Sequence, residues 1–97
     1  MIKLGNRVLI RGARFKREYK QCVKKGLDVA EIDTVLRILV ARKPPPSKYR
    51  DYALKGNYMG YHECHLKGDW LFIYKISGDD LIITAVRTGS HSELFNL

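Results

Sequence analysis

The stretch YHECHLKGDWLFIYKI, residues 61–76, decides the fold of this chain. Its first part, 61–66, and its strongly apolar second part, 69–76, both have the pattern of β-strands. The KG pair between them is a tight-turn signal, so we predict a hairpin. A second hairpin turn, SGDD at 77–80, leads to a third strand, LIITAVRT at 81–88. The second half of the chain is therefore predicted to be an antiparallel meander.

The first half of the chain has helical periodicity instead. Two segments, 13–26 and 27–46, repeat apolar residues three and four positions apart. These residues are Phe15, Tyr19, Cys22 and Val23 in the first segment, and Ile32, Val35, Leu36, Leu39 and Val40 in the second. Gly26 ends the first helix, and three consecutive prolines stop the second. The very short link predicts an antiparallel helical hairpin, and residues 7–12 predict a short strand before it.

The order of these elements predicts an α+β domain in which an N-terminal helical hairpin packs on one face of an antiparallel β-sheet. A chain of 97 residues corresponds to a single domain, here 1–97. No apolar run is long enough for a membrane span, and the apolar segment at the start is too short for a signal peptide. We therefore expect a cytoplasmic protein with no membrane partner, in which Cys22 and Cys64 are reduced thiols.

Charge is unevenly distributed along the sequence. The formal net charge is +8, and most of the 18 lysines and arginines precede residue 61. Residues 1–60 have a net charge of +10, whereas residues 61–97 have a net charge of −2. A basic first half beside a nearly neutral second half predicts a surface for docking a polyanion, next to a separate functional region. Nucleic acid is the partner that this pattern favours.

The HECH segment contains two histidines and a cysteine but does not predict a metal site. Successive side chains of a strand point to opposite faces, so His62 and His65 are predicted on different faces. Glu63 shares the face of His65, and Cys64 shares the face of His62. The two histidines therefore cannot reach one ion without a bulge, and no second cysteine pair has zinc-finger spacing. Cys64 is expected to face the core rather than to act as an exposed thiolate nucleophile.

An acid–base site is the other chemistry that this part of the chain can support. His65 precedes the KG turn and Asp69 follows it, so the hairpin brings an imidazole and a carboxylate close together. Arg87 ends the third strand of the meander, and His91 follows four residues later. Such a set can break a phosphodiester. One group removes a proton from the attacking hydroxyl, another protonates the leaving oxygen, and a guanidinium stabilises the charge on the phosphate.

The aromatic and charged residues of this region have both functional and structural interpretations. Trp70 and Phe95 can stack on splayed RNA bases. However, a tryptophan in an apolar strand is more often a core residue, and Phe95 can simply seal the end of the core. Arg87 can form a salt bridge with Asp69 or Glu93. A single histidine on a sheet is more often a hydrogen-bonded surface or core group than a catalyst. Spacing alone leaves the catalytic and structural interpretations open.

Two longer segments resemble a known family. YRDYALKGNYMGYHECHLKGDWLFIYKI, at 49–76, and AVRTGSHSELF, at 85–95, are similar to the YafQ-type branch of the RelE/ParE toxin superfamily. Its members are toxins of bacterial type II toxin–antitoxin systems, and the helical hairpin here is similar to theirs in layout only. The resemblance implies a small α+β domain in the bacterial cytoplasm. It also implies a ribosome-dependent mRNA endoribonuclease that cleaves by attack of the RNA 2′-hydroxyl on the neighbouring phosphate, with no metal or other cofactor.

The resemblance also assigns roles to individual residues. His65, Asp69, Arg87, His91 and Phe95 match active-site positions of the family, and Trp70 matches an aromatic position beside that site. We take the first four as catalytic, and we assign substrate binding to Tyr52, Lys55, Trp70 and Phe95. We expect His91 to act as the general acid and Arg87 to bind the phosphate. His65 or Asp69 is the base or the group that orients it. Tyr52 stands where many relatives have a histidine. Its phenol, with an ordinary pKa of about 10, can donate a hydrogen bond to a phosphate but is a poor base at neutral pH.

The resemblance implies three kinds of partner. They are a cognate antitoxin protein, the ribosome with its mRNA, and operator DNA that is bound only through the antitoxin complex. The basic first half of the chain would then dock on ribosomal RNA or on an acidic segment of the antitoxin. Two alternative functions stay open. One is a ParE-like toxin that targets gyrase, and the other is a catalytically weak module that acts mainly as a co-repressor with its antitoxin.

Overall fold

The computed structural model describes residues 5–95, which form five strands and three α-helices. In chain order the elements are β1 (Val8–Arg11), α1 (Ala13–Lys24), α2 (Ala30–Val40), β2 (Tyr52–Ala53), β3 (Tyr61–Lys67), β4 (Trp70–Ser77), β5 (Ile82–Ser90) and α3 (His91–Phe95). Two short 3₁₀ turns, Ser47–Tyr49 and Gly56–Tyr58, flank β2. Within residues 5–95 no helix is long and apolar enough to cross a membrane.

The five strands form one sheet in the order β1-β5-β4-β3-β2. β3, β4 and β5 are the predicted antiparallel meander. The prediction of a wholly antiparallel sheet is corrected at one edge, where β1 pairs with β5 in parallel and Val8 lies opposite Ile82. β1 and β5 are not joined by a hairpin turn. The helical hairpin and the strands β2, β3 and β4 lie between them in the chain, and such a long connection allows parallel pairing. The predicted α+β class is confirmed, with a mixed sheet.

α1 and α2 pack together on one face of the sheet, which we call the helix face. The buried side chains of this core are Phe15, Cys22, Ile32, Val35, Leu36 and Leu39 from the helices, and Cys64, Trp70, Phe72, Tyr74, Ile83 and Ala85 from the strands. The opposite, open face carries α3, and Leu94 packs there against Leu71 and Ile73. Because β4 is buried on both faces, its sequence is almost continuously apolar, which explains the strong strand signal at 69–76.

Val23 differs from the prediction, because it is not part of the core. Its side chain is 52% exposed, whereas Phe15 and Cys22 on the same helix are buried. Each residue of an α-helix turns by about 100°, so Phe15 and Cys22 lie within about 20° of each other and Val23 lies about 80° from Phe15. Spacing of three or four residues therefore overestimates the width of the apolar stripe on α1.

The connector 47–60 contains β2, a strand that its sequence does not predict. Tyr52 and Ala53 pair antiparallel with β3, and Tyr52 lies directly opposite Glu63. A strand of two residues has no measurable period, so only its turn-rich surroundings are visible in the sequence. The pairing adds a fifth strand at the edge of the sheet and places Tyr52 beside the residues of β3.

Two hydrogen bonds fasten this connector to the rest of the domain. The hydroxyl of Tyr49, a buried residue, donates to Glu31 of α2 at 2.7 Å. The hydroxyl of Tyr74 on β4 donates to Asp51 at 2.6 Å. Asp51 thus bonds to a core side chain of the helix face, while the next residue, Tyr52, lies opposite Glu63 in β2. The anchor fixes the position of Tyr52 relative to the sheet.

Candidate active site

The candidate site is built mainly on the open face of the sheet. Ile73 of β4 pairs with Glu63 of β3 on one side and with Arg87 of β5 on the other. His65 lies two residues along from Glu63 and points to the same face. Two strand spacings separate β3 from β5, about 10 Å. Side chains from the two strands can therefore approach one ligand from opposite sides.

A β-bulge brings Arg87 to this face. Ala85 lies opposite Tyr74 on the helix face, and simple alternation would place Arg87 on that face as well. The pairing register shifts between Ile73 and Tyr74, so Val86 is the extra residue and Arg87 becomes the partner of Ile73. Bulges of this kind re-aim side chains and are common beside active sites. Arg87 is thus in the candidate site because of an irregularity that strand periodicity does not reveal.

Arg87 is held by a carboxylate from α1. Its Nε and Nη2 atoms donate to Glu18 at 2.9 and 2.7 Å, and the backbone N–H of Thr88 donates to Glu18 at 3.2 Å. β1 ends opposite Ala85, so Glu18 occupies the edge of β5 that β1 leaves uncovered. The sequence alternatives of a salt bridge to Asp69 or Glu93 are corrected, because the partner comes from a distant helix. The Nη1 atom has no partner among residues 5–95 and remains available to a ligand.

Tyr52, Glu63 and His65 form one cluster on β2 and β3. The rings of Tyr52 and His65 are 5.7 Å apart, and the Nε2 atom of His65 lies 3.8 Å from a carboxylate oxygen of Glu63. Glu63 is only 3% exposed, which is unusual for a carboxylate. It was not among the predicted catalytic residues, although alternation placed it on the face of His65. The burial of Glu63, which its sequence does not reveal, is the feature that marks it as a candidate.

Tyr52 is held in its protonated form. Partial burial, followed by the nearby carboxylate of Glu63, raises the pKa of Tyr52 above its ordinary value. Both effects disfavour the phenolate anion. Tyr52 can therefore donate a hydrogen bond at neutral pH, and its environment does not convert it into a base.

Asp69, His91 and Phe95 meet at the end of the sheet where α3 begins. The backbone N–H of His91 donates to the carbonyl oxygen of Asp69 at 3.1 Å, and the ring of His91 lies 5.0 Å from that of Phe95. Glu93 stabilises this corner by accepting from the N–H of Ser90 and from Lys25, both at 2.8 Å. The ammonium of Lys25, and then the Ser90 bonds, lower the pKa of Glu93 to about 2. The side chain of His91 is exposed at a fixed corner.

Trp70 does not have the predicted role in stacking on RNA bases. It is 4% exposed in the core of the helix face, and its indole N–H donates to Thr88 at 2.9 Å. A buried ring with a satisfied N–H has no free face for a base. The structural interpretation of Trp70 is therefore the correct one.

The other two predicted substrate-binding residues are accessible. Phe95 is half-buried and touches Tyr58 at a ring distance of 5.8 Å. Lys55 is exposed immediately before the 3₁₀ turn Gly56–Tyr58, and no hydrogen bond or ion pair involves its side chain within residues 5–95. Both residues can contact a ligand at the margin of the open face.

The two histidines of the HECH segment lie on opposite faces, as alternation predicted. His62 stacks on Tyr74 at 5.0 Å on the helix-face side and lies 3.7 Å from Asp51. Cys64 is fully buried, and burial raises the pKa of its thiol, so the prediction that it faces the core is confirmed. No group of three histidine, cysteine or carboxylate side chains comes together as a metal site in the described part of the chain.

The chain belongs to a class of bacterial toxins, those of type II toxin–antitoxin systems. The family model described as "Bacterial toxin of type II toxin-antitoxin system, YafQ" matches residues 8–96. The chain belongs to this YafQ family, which confirms the resemblance seen in its sequence.

Individual relatives agree with this assignment. The "mRNA interferase toxin YafQ" of Escherichia coli K12 is 30% identical over 83 residues, covering 84% of this chain and 88% of that protein. The toxin chain of the E. coli DinJ-YafQ toxin-antitoxin complex has a TM-score of 0.84 and 28% identity, covering 93% of this chain and 98% of that one. A metal-bound toxin from Helicobacter pylori has a TM-score of 0.83 and 38% identity, covering 91% of this chain and 98% of that one.

Proposed function

We propose that this chain is an mRNA endoribonuclease, the toxin of a type II toxin–antitoxin pair, and that it cuts mRNA on the ribosome. The E. coli relative is named an mRNA interferase, which supports the activity. The observation that carries the proposal is the placement of Glu63, His65 and Arg87 on one face, with the exposed ring of His91 at its end. Together these groups provide a base, an acid and a phosphate-binding cation.

His65 is the proposed base for the attacking 2′-hydroxyl. A neutral imidazole accepts a proton and becomes a cation, and the Glu63 carboxylate 3.8 Å from its Nε2 atom stabilises that cation. Asp69, the other predicted candidate, lies in the exposed β3–β4 turn, where its carbonyl accepts the N–H of His91. We therefore assign Asp69 to positioning His91. The attack forms a 2′,3′-cyclic phosphate and breaks the bond to the 5′-oxygen.

His91 is the proposed acid that protonates the leaving 5′-oxygen. Its ring is exposed, so it can reach a bound RNA strand. Arg87 is proposed to bind the phosphate between the two histidines and to stabilise the charge that develops on its non-bridging oxygens. Glu18 holds the guanidinium by two of its nitrogens, which fixes its direction before RNA binds.

The basic surface of α1 is proposed to dock on ribosomal RNA. The exposed cations of this helix are Arg14, Lys16, Arg17, Lys20 and Lys24. Contacts between such side chains and phosphates make binding fall steeply as salt rises. A YafQ toxin occurs with the DinJ antitoxin in the E. coli complex. We propose that a cognate antitoxin likewise binds this chain, and that operator DNA is bound only through that complex.

The test of this function is a cleavage assay on a defined mRNA in a purified translation system. Primer extension maps the new ends, with and without ribosomes and with no added metal beyond that required for translation. We expect cuts at fixed codon positions only when ribosomes are present. An absence of cuts with ribosomes, or identical cuts in free RNA, would contradict the proposal in its activity or in its dependence on the ribosome.

Tyr52→Phe is expected to slow cleavage by roughly 10- to 100-fold, the value of one hydrogen bond to a charged group. The phenylalanine ring keeps the contact with His65 but cannot donate to the phosphate. The shape of the pH–rate profile should stay the same, because the raised pKa keeps the Tyr52 phenol protonated throughout the neutral range. If one side of the pH–rate profile is lost or shifted in Tyr52→Phe, Tyr52 is instead the titrating base.

Trp70→Phe is expected to lower the free energy of unfolding by about 1–3 kcal/mol while leaving the cleavage rate close to that of the wild type. The smaller ring leaves a gap in the core and removes the donor to Thr88. Urea denaturation measures the stability, and the cleavage assay measures activity at a temperature where both proteins are folded. Unchanged stability with a large loss of cleavage would restore Trp70 to the substrate-binding set.

A further inference from the structure

A pocket of about 300 Å³ opens on the open face beside the candidate active site. Its lining includes the aromatic residues Tyr58, Tyr61 and Phe95, the amide residue Asn57, and the two arginines Arg14 and Arg87. Of these six residues, the sequence and the family resemblance assigned a role only to Arg87 and Phe95. The pocket is large enough for one nucleobase.

Tyr58 offers a stacking surface that the core does not use, whereas Tyr61 and Phe95 also pack against Leu71, Ile73 and Leu94. The ring of Tyr58 stands at 85° to that of Tyr61, 6.4 Å away, and at 86° to that of Phe95, 5.8 Å away. Tyr58 is 47% exposed, although it is large and aromatic. Aromatic rings at the surface beside a basic groove are the usual platform for bases of single-stranded RNA.

The charge on the pocket suits a phosphate. Arg87 and Arg14 both approach the single carboxylate of Glu18, at 2.7 and 3.9 Å. Two guanidinium groups against one carboxylate leave one net positive charge at the pocket. The side chain of Arg14 is 64% exposed and therefore free to turn toward a ligand. A stacking surface beside one excess positive charge is complementary to a nucleotide, because a nucleotide combines an aromatic base with a singly charged phosphodiester.

We propose that this pocket binds one nucleotide of the RNA substrate, with its base against Tyr58 and its phosphate at Arg14. The inference rests on the proposed function. Phe95 forms a wall of the pocket and lies 5.0 Å from the ring of His91, so the bound nucleotide is a neighbour of the scissile phosphate. The amide of Asn57, which also lines the pocket, can donate to and accept from a base edge. The pocket therefore sets the base preference at one position next to the cut.

The first test measures base preference rather than rate alone. Tyr58→Ala, Tyr58→Phe and the control Met59→Ala are compared with the wild type in the purified translation system, on mRNAs that vary one codon position at a time. Met59 is 77% exposed on the same turn and does not line the pocket. Loss of one stacking contact predicts roughly 5- to 100-fold weaker binding of the nucleotide by Tyr58→Ala, and a base that is no longer anchored there cannot be discriminated by the Asn57 amide. Tyr58→Phe and Met59→Ala should retain the wild-type preference.

A cleaving Tyr58→Ala protein with the wild-type base preference would overturn the proposal. So would a variant that loses only its binding to the antitoxin, because the pocket would then be a protein-docking site. The second test needs no cleavage. Short single-stranded RNAs methylated at every 2′-oxygen lack the attacking hydroxyl, and they are titrated into the wild-type protein while NMR follows the ring resonances of Tyr58, Tyr61 and Phe95.

The two tests separate this inference from the proposed nuclease function. Shifts of the three ring resonances on titration, in a protein that cuts no mRNA, would support the pocket and contradict the nuclease. Cleavage by the wild type with no ring shifts and no change of preference in Tyr58→Ala would support the nuclease and contradict the pocket. If the RNA shifts the ring resonances of Tyr61 and Phe95 in Tyr58→Ala as much as in the wild type, the assigned role of Tyr58 is also contradicted.

Discussion

His91→Ala is expected to cleave mRNA roughly 10²- to 10⁴-fold more slowly than the wild type, the range that general acid catalysis contributes. Without the imidazole, the 5′-oxygen must leave unprotonated or wait for water. Alanine keeps the backbone N–H that donates to the Asp69 carbonyl, so the start of α3 should not move. Single-turnover cleavage of a defined mRNA on ribosomes, followed by primer extension, gives the rate.

His62→Ala is the matched control for this variant. It makes the same chemical change on the opposite face of the sheet, where His62 contacts Tyr74 and Asp51. We expect a cleavage rate close to that of the wild type, with at most a small loss of stability in thermal unfolding. An active His91→Ala protein would refute the acid assignment. An equal loss in both variants would point to a general effect on folding.

The second large effect is expected at Arg87. Arg87→Ala should lower the single-turnover cleavage rate by roughly 10²- to 10³-fold, the value of one group that stabilises transition-state charge. Arg87→Lys keeps the positive charge but not the planar fork that two carboxylate oxygens and a phosphate can share. We therefore expect the lysine variant to recover only part of the rate. A fully active Arg87→Lys protein would show that charge alone, without direction, is sufficient.

A loss at Arg87 must be separated from a loss of folding, because its removal leaves Glu18 without its closest cation. The Glu18 side chain is only 21% exposed and would keep only Arg14, at 3.9 Å, and the N–H of Thr88, so loss of the Arg87 guanidinium destabilises the domain. The double variant Glu18→Gln/Arg87→Ala also removes the negative charge of Glu18, which Arg87 no longer neutralises. We expect its stability in urea to exceed that of Arg87→Ala, while cleavage stays low. Recovery of cleavage in the double variant would mean that Arg87 acts only through the fold.

Much of the fold can be predicted from the spacing of apolar residues and from the glycines and prolines that end the helices and strands. The alternation in 61–66 correctly separates His65 from His62 and places Cys64 in the core. This succeeds because the strand is regular up to the shift in register after His65. The same reasoning fails for Arg87, since one extra residue at Val86 reverses the faces of everything that follows it. Alternation is reliable only between bulges.

The candidate site was less accessible to sequence reasoning for a second reason. The pair of Glu18 and Arg87 joins residues 69 positions apart, and nothing local in either segment indicates the other. The importance of Glu63 depends on its burial, which arises only when β2 covers the edge of β3. Trp70 shows the reverse error, because a resemblance to a family position was extended to a side chain that the core encloses.

The position of β5 in the sheet determines when the candidate site can form during synthesis of the chain. β5 lies between β1 and β4, yet it is made after all four other strands. Until β5 leaves the ribosome, β1 has no strand to pair with, and neither Arg87 nor His91 has been placed. The candidate site therefore cannot form in the nascent chain before its last strand has been made.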